Sequence, residues 1–323
     1  MGVAQRIAGL AVAGIGCMTA GAALAERPDR LWLAATFNDG NDKEAVVDLR
    51  ARKARGEALT AMEEAILVAA ARTGQMTWCD GKQSGNAFLV RIDGRDAIIT
   101  SAHSVFEDIH FRKPRCDLSD PGYYANISFW DPKAGIPHPT DFVRRKVPLS
   151  GSPMLNNPYP ADGAVSLMDS SAGVVIQASL DFAVFFLAEE ISTDILPDGT
   201  IRGSHSFWDV SAEDVPLMRW SLTPPEKSLV LIGHHKSDGP GMWYQSCMAD
   251  ISNELVYHAC DTLVGASSSV LLTYHNNEFV VAGMHIRGTE DLNLSLDQVS
   301  KWNFGIGAWT IRDFLSSQNM TVE

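Results

Sequence analysis

The chain has little positive charge. It carries 26 lysines and arginines against 39 aspartates and glutamates in 323 residues, a formal net charge of −13. So acidic a protein repels nucleic-acid phosphates, and we expect no nucleic-acid partner. After residue 25 the sequence also lacks a hydrophobic run long enough to cross a bilayer. What remains is a globular composition, 46% hydrophobic, with length for one large or two modest domains.

The first 25 residues have the pattern of an export signal. Arg6 precedes an apolar stretch rich in alanine and glycine, and the letters ALA at 23–25 fit a cleavage site. We therefore expect an exported protein, periplasmic or extracellular, with no membrane partner after cleavage of residues 1–25. A retained membrane anchor is the alternative, but the stretch is short and weakly hydrophobic.

Cysteines are few. Cys17 leaves with the signal, so the mature chain keeps Cys79, Cys116, Cys247 and Cys260. An even number in an oxidising compartment predicts two disulfides, with three possible connectivities. We favour Cys79 with Cys116 and Cys247 with Cys260, because each pair closes a local loop. A zinc site is the alternative, but no pair has the close spacing of a zinc knuckle, so we expect no metal and no cofactor.

The pattern of apolar residues divides the chain into a helical beginning and an all-β body. Residues 40–73 are rich in Ala, Glu, Arg and Leu at helical spacing, which predicts one long helix that ends at Gly74. We take residues 26–76 as a helical extension or a propeptide. Beyond Trp78, short apolar or alternating runs separated by turn residues predict many β-strands. The letters AWTIRDFLSSQ near the end predict a final helix.

Three short blocks in the β body carry a family resemblance. They are TSAH (100–103), DFAV (181–184) and GASS (265–268), in that order, with SGNAFLV before the first and VVAGMHIRG after the last. These blocks resemble the His, Asp and Ser blocks of the chymotrypsin-like serine peptidases, and the resemblance runs from about Gly85 to the C-terminus. The letters CDTLVGASSS, AGMHI and WNFGIGAWTI are most similar to the bacterial glutamyl endopeptidase branch.

The resemblance implies a fold and an activity. The fold is all-β, with two antiparallel six-stranded barrels, residues 77–195 and 196–323, an N-terminal helical extension and a C-terminal helix. The implied protein is an exported serine endopeptidase, a monomer that acts on a protein or peptide substrate. The alternative from another class is an inactive double barrel that serves as a binding or scaffold module.

The same resemblance assigns roles to individual residues. His103 is the general base and then the general acid, Asp181 orients its imidazole, and Ser267 is the nucleophile. The backbone amides of Gly265 and Ser267 form the oxyanion hole. Asp162 is a second candidate for the carboxylate, but its proline and glycine neighbours indicate a loop.

Ser268 departs from the family pattern, which has glycine directly after the nucleophile. A side chain there crowds the substrate or requires a backbone angle that serine tolerates poorly. Ser268 is also a rival nucleophile, but that choice puts Ala266 where the family has the oxyanion-hole glycine. We therefore expect Ser267 to be the nucleophile.

Further residues bear on specificity and on metals. By the resemblance, Thr262 and His285 line the primary substrate pocket, where a hydroxyl and an imidazole can hold a carboxylate. Asp261 facing the same pocket would instead favour a basic substrate residue, and the sequence leaves this choice open.

The adjacent residues His234 and His235 suggest a metal site. Neighbouring strand residues point to opposite faces, however, and no His-Glu-x-x-His helix accompanies them, so we take both as structural.

Overall fold

The structure is a computed structural model. It describes residues 43–77, 83–106, 126–132, 142–156, 179–209, 228–235, 241–252, 255–262, 265–275, 278–288 and 303–323. The helices in these segments are α1 (Val46–Ala54), α2 (Ala61–Ala71), α3 (Ala102–Val105) and α4 (Ala308–Ser317). The strands are β1 (Glu44–Ala45), β2 (Thr73–Thr77), β3 (Gln83–Ile92), β4 (Arg95–Thr100), β5 (Asn126–Pro132), β6 (Phe142–Val147), β7 (Leu149–Leu155), β8 (Ala183–Leu187), β9 (Ser228–His234), β10 (Met242–Ser252), β11 (Leu255–His258), β12 (Val270–His275), β13 (Glu278–Gly288) and β14 (Asn303–Gly307).

The first sheet has the order β6-β5-β2-β3-β4-β8-β7, and its pairings are antiparallel. Its two end strands, β6 and β7, are separated in the chain by Pro148 alone. A single bent segment therefore pairs with β5 through its first half and with β8 through its second half. Proline lacks the N–H that a strand donates, so it suits the point where the partner changes. The sheet thus closes into a barrel with six strand positions.

The second sheet closes through a direct pairing. Its order is β1-β10-β11-β14-β13-β12-β9, and β9 also pairs with β10. Strand β10 pairs with β9 through its first part and with β11 through its last part. Six strands therefore form a closed antiparallel barrel, to which the short β1 adds at β10. The predicted all-β fold with two antiparallel barrels is confirmed.

Strand β3 is buried on both faces. Leu89 belongs to an apolar cluster with Phe129 of β5 in the first barrel. Its neighbour Phe88 belongs to a second cluster that includes Ile232 of β9 and Val281 of β13, from the second barrel. Successive strand residues point to opposite faces, so a strand between two cores needs a continuous apolar run. The letters AFLV in this strand supply one.

The N-terminal helical segment differs from its prediction. Two helices, α1 and α2, replace the single long helix, and Gly74 lies inside strand β2 rather than at a helix end. The break contains Gly56, whose φ of +77° is left-handed. A capping box then starts α2: the Glu63 amide donates to Thr60 Oγ1 at 3.2 Å, and the Thr60 amide donates to the Glu63 carboxylate at 2.7 Å. The sequence contained this local signal.

Helix α2 contacts both barrels, through β2 and β5 of the first and β9 and β13 of the second. Its side chain Ile66 is 2% exposed and belongs to the cluster between the barrels. We expect Ile66→Ala to lower the free energy of unfolding by about 2–5 kcal/mol, because the shortened side chain leaves a cavity. Val68→Ala on the same helix removes a 41% exposed side chain and should change stability by less than about 0.5 kcal/mol. Urea unfolding of the two variants measures the difference, and equal losses would contradict this packing.

Two further predictions concern the chain's end and its cysteines. Helix α4 confirms the predicted C-terminal helix. Cys247 of β10 and Cys260 after β11 form a disulfide with 5.0 Å between their Cα atoms, which confirms that pairing. Cys79 and Cys116 lie outside the described residues.

Among the described residues, none of the helices combines the length and the apolar character needed to span a membrane.

Candidate active site

The imidazole and the carboxylate of the candidate site come from neighbouring strands of the first barrel. Strand β4 ends at Thr100 and leads into the short helix α3, which carries His103. Strand β8 starts just after Asp181, and Thr100 pairs with Ala183. His103 Nδ1 lies 2.7 Å from Asp181 Oδ2, and the His103 backbone amide donates to Asp181 Oδ1 at 2.8 Å. Two hydrogen bonds therefore fix the imidazole against one carboxylate.

The third predicted residue comes from the second barrel. Ser267 lies in the turn before β12, and its Oγ is 3.0 Å from His103 Nε2. With the Nδ1 proton directed at Asp181, Nε2 is the ring nitrogen that can accept the hydroxyl proton of Ser267. Strand β3 approaches this turn closely: a Cβ on Gly85 would lie 3.1 Å from the Ser267 carbonyl oxygen. Glycine at this position lets the two barrels meet at the site.

Asp181 is charged despite its burial. Its side chain is 2% exposed, and burial by itself raises the pKa of a carboxyl group. The charge of His103, the hydrogen bond from its ring, and the charge of Arg287 nevertheless hold the pKa of Asp181 below its ordinary value of 3.8. Arg287 Nη2 lies 3.8 Å from Asp181 Oδ2. Sequence reasoning missed this arginine, although its place directly after the buried MHI of β13 was a signal.

The neighbouring serines have different surroundings. Ser268 is fully buried and its backbone is left-handed, with φ +66°, a backbone angle that serine tolerates poorly. Its Oγ accepts a hydrogen bond from the Ser101 amide at 2.7 Å. Ser267, not Ser268, is therefore the serine that faces the imidazole. Asp162, the rival carboxylate, lies outside the described residues.

Asn86 of β3 holds the nucleophile turn from the side of the first barrel. Its Nδ2 donates to the carbonyl oxygens of Gly265 at 3.0 Å and Ser267 at 3.2 Å, and its backbone amide donates to Ser267 O at 2.8 Å. Asn86 Oδ1 accepts from the His234 amide at 2.7 Å. Sequence reasoning missed Asn86 as well. A fully buried amide in the apolar run NAFLV requires such partners, and that requirement was the signal.

The predicted oxyanion-hole amides belong to this same turn. Gly265 has a φ of +91°, which favours glycine. Within the described segments, neither the Gly265 nor the Ser267 backbone amide donates a hydrogen bond to the protein. Both N–H groups are therefore available to a ligand oxygen.

The two predicted pocket residues, Thr262 and His285, are both buried. The Thr262 hydroxyl is buried and has no hydrogen-bond partner among the described residues. His285 is joined to the turn through its backbone, which accepts from the Ser268 amide at 2.8 Å. Its Nδ1 lies 3.0 Å from Nε2 of His258, a partner that sequence reasoning missed. Among the described residues, no hydrogen bond joins the Thr262 hydroxyl to His285.

Burial keeps both imidazoles neutral. Burial, with the nearby His258, His235 and His103, lowers the pKa of His285 well below 6.5. Burial also lowers the pKa of His258 to about 3. Asp261 is buried beside Thr262, and its backbone amide donates to Gln245 Oε1 at 2.6 Å. The pocket region thus contains neutral polar groups and one carboxyl group.

In the described parts of the chain, one group of side chains has the proximity of a metal site. Cys247, His258 and Cys260 offer ligand atoms within 4.8 Å of one another. The two sulfurs form a disulfide, however, and a metal needs thiolates. His234 and His235 are outside this group: His234 Nδ1 lies 3.1 Å from Gly241 O, and His235 Nδ1 lies 3.3 Å from Lys43 Nζ.

Comparison with known proteins finds a similar solved structure but no sequence relative. No protein-family model matches the sequence, and no curated protein matches it. A solved structure of a Glu endopeptidase in complex with MPD is similar to this chain, with a TM-score of 0.48 and 16% sequence identity over 77% of this chain and 91% of that one. The strand pairings, not this likeness, carry the assignment of the fold.

Proposed function

We propose that this chain is a chymotrypsin-like serine endopeptidase. The observation that carries the proposal is the relay from Asp181 through His103 to Ser267, with distances of 2.7 Å and 3.0 Å. A serine, an imidazole and a buried carboxylate in this order are the parts that activate a hydroxyl for attack on a carbonyl carbon. They lie where the first barrel meets the second.

The reaction follows from the relay. Ser267 Oγ attacks the carbonyl carbon of a peptide bond while His103 Nε2 takes the hydroxyl proton. The protonated imidazole, stabilised by Asp181, then gives this proton to the leaving amine, and the acyl group stays on Ser267 as an ester. Water, deprotonated by His103, hydrolyses the ester and restores the serine. The amides of Gly265 and Ser267 stabilise the oxyanion of each tetrahedral intermediate.

We assign Thr262 and His285 to the primary substrate pocket, as in the glutamyl endopeptidase branch. The support is the Thr262 hydroxyl, which has no partner among the described residues and can donate to a substrate oxygen. A substrate carboxylate beside the neutral His285 would raise the pKa of this imidazole and draw a proton onto it. If Asp261 faces the pocket instead, a basic substrate residue is preferred. Cleavage of a peptide library with every residue at the primary position distinguishes the two.

Labelling by a fluorophosphonate probe tests the function. We expect the exported, oxidised protein to be labelled on Ser267, located by peptide mass spectrometry, because only an activated serine attacks the phosphorus. The variant His103→Ala should abolish labelling, since it removes the base. Unlabelled but folded wild-type protein would contradict the proposal and favour the inactive binding or scaffold module.

We also propose that the protein is exported, to the periplasm or the extracellular space, and acts as a monomer. The disulfide between Cys247 and Cys260 supports export, because such bonds persist in oxidising compartments. Intact mass of the exported protein should correspond to a chain without residues 1–25. An intact N-terminus would contradict cleavage of the signal.

A further inference from the structure

Ser268 has a backbone conformation that is unfavourable for its residue type. Its φ is +66°, whereas most left-handed positions among the described residues are glycines. The side chain is fully buried, so solvent does not satisfy its hydroxyl. Such a residue is tolerated where its contacts offset both the backbone strain and the burial of its hydroxyl.

Among the described residues, the hydrogen-bond partners of the Ser268 hydroxyl all belong to the first barrel. Its Oγ accepts from the Ser101 amide at 2.7 Å, donates to Ser101 Oγ at 2.7 Å, and lies 3.1 Å from Thr100 Oγ1. Ser101 Oγ continues to Ser104 Oγ at 2.7 Å. These contacts join the nucleophile turn of the second barrel to the end of β4 in the first.

Ser268 and Ser101, the two ends of this connection, lie next to the residues that carry the reacting groups. Ser268 directly follows Ser267, and Ser101 is the residue at the start of α3, which carries His103. Among the described residues, the Ser101 side chain makes no capping hydrogen bond to α3, because its hydroxyl is bonded to Ser268 and Ser104. The contact between Ser268 and Ser101 therefore joins the segment that carries Ser267 to the segment that carries His103.

We propose that Ser268 is a positioning residue, whose hydroxyl holds the turn that carries His103 at the correct distance from Ser267. Its catalytic consequence rests on the proposed peptidase function. The side chain points between the barrels and is not exposed in the substrate cleft, so it does not block substrate. Buried hydrogen bonds in a low-dielectric interior are strong, and loss of the hydroxyl leaves the Ser101 amide buried without a partner.

Two variants separate the hydroxyl from the backbone angle. Ser268→Ala removes the hydroxyl and keeps the unfavourable angle, whereas Ser268→Gly removes the hydroxyl and relieves the angle. We expect both to lower kcat about 10- to 100-fold with KM changed less than about threefold, because a small misplacement of reacting groups affects the chemical step. Ser268→Gly should unfold at a higher temperature than Ser268→Ala. Wild-type kcat in Ser268→Gly would overturn the proposal.

A partner variant tests whether the contact with Ser101 is the cause. Ser101→Ala should lower kcat by a similar factor, and the double variant with Ser268→Ala should be little worse than either single one, since both remove the same interaction. If the double variant instead loses kcat by the product of the two single factors, the two residues act independently and the proposal is contradicted. The control for the lost hydroxyl is Ser316→Ala, which changes an exposed serine on α4. The control for the relieved backbone angle is Asn319→Gly, which changes another left-handed residue, far from the site.

Hydrogen exchange gives a readout that does not depend on catalysis. The Ser101 amide should exchange at least about tenfold faster in Ser268→Ala and Ser268→Gly than in wild type, because its acceptor is gone. If wild type is unlabelled by the fluorophosphonate but this exchange changes, the peptidase function fails and the connection between the barrels stands. Unchanged exchange overturns the connection whether or not the protein is an enzyme.

Discussion

Replacing Ser267 by alanine is expected to lower kcat for peptide hydrolysis by about 10⁴- to 10⁶-fold. The variant has no oxygen to form the acyl-enzyme, so only water assisted by the remaining groups can attack the substrate. KM should change little, because the substrate contacts remain. Single-turnover kinetics on the peptide that is cleaved best in the library measures the loss.

The control for this change is Ser316→Ala, which removes an exposed hydroxyl on α4 and should leave kcat unchanged. Activity that depends on Ser268, the rival nucleophile, would contradict the assignment of Ser267. If Ser267→Ala retains a substantial part of the activity and is labelled on Ser268, the assignment of the nucleophile is wrong. The burial of Ser268 and its bonds to Ser101 lead us to expect no such labelling.

Asp181→Asn is expected to lower kcat by about 10⁴-fold while the protein stays folded. The asparagine oxygen can still accept from the His103 backbone amide, as Asp181 Oδ1 does at 2.8 Å. Its NH₂ group then faces His103 Nδ1 and donates to it. The ring proton moves to Nε2, which can no longer accept the proton of Ser267.

The same variant has a matched control in Asp313→Asn, which makes the same chemical change at an exposed position on α4. Thermal unfolding should be nearly equal for the two, and only Asp181→Asn should lose activity. A loss of less than tenfold in Asp181→Asn would mean that another group orients His103. Arg287, 3.8 Å from the carboxylate, cannot take that role, because a cation does not accept the Nδ1 proton.

Local patterns were sufficient for much of the fold and the site. Alternating and continuous apolar runs predicted the strands, and the blocks at His103, Asp181 and Ser267 lay at strand ends or in a turn, where side chains can meet across a cleft. The break between α1 and α2 was also local, since Thr60 and Glu63 have the spacing of a capping box. The single long helix was wrong because that signal was not used.

Other features had no local signal strong enough to identify them. Asn86 is one polar residue in an apolar strand, and its partners Gly265 and Ser267 lie 179 and 181 residues away in the chain. Ser268 differed from the family pattern, and the sequence left open whether its side chain crowds the substrate or requires an unfavourable backbone angle. The hydrogen bonds that offset the unfavourable angle come from Ser101, which is 167 residues away in the chain.

The amino-acid sequence alone predicted the all-β class from its short apolar runs, and it favoured the pairing of Cys247 with Cys260 because that pair closes a local loop. The order of the three catalytic candidates came from the resemblance of three short blocks to a known family. Tertiary structure alone decided what Ser268 holds, and it places Ser267, the expected nucleophile, 3.0 Å from the His103 imidazole. Hydrogen bonds between the barrels depend on directions in space, and residues remote in the chain meet there only after both barrels close.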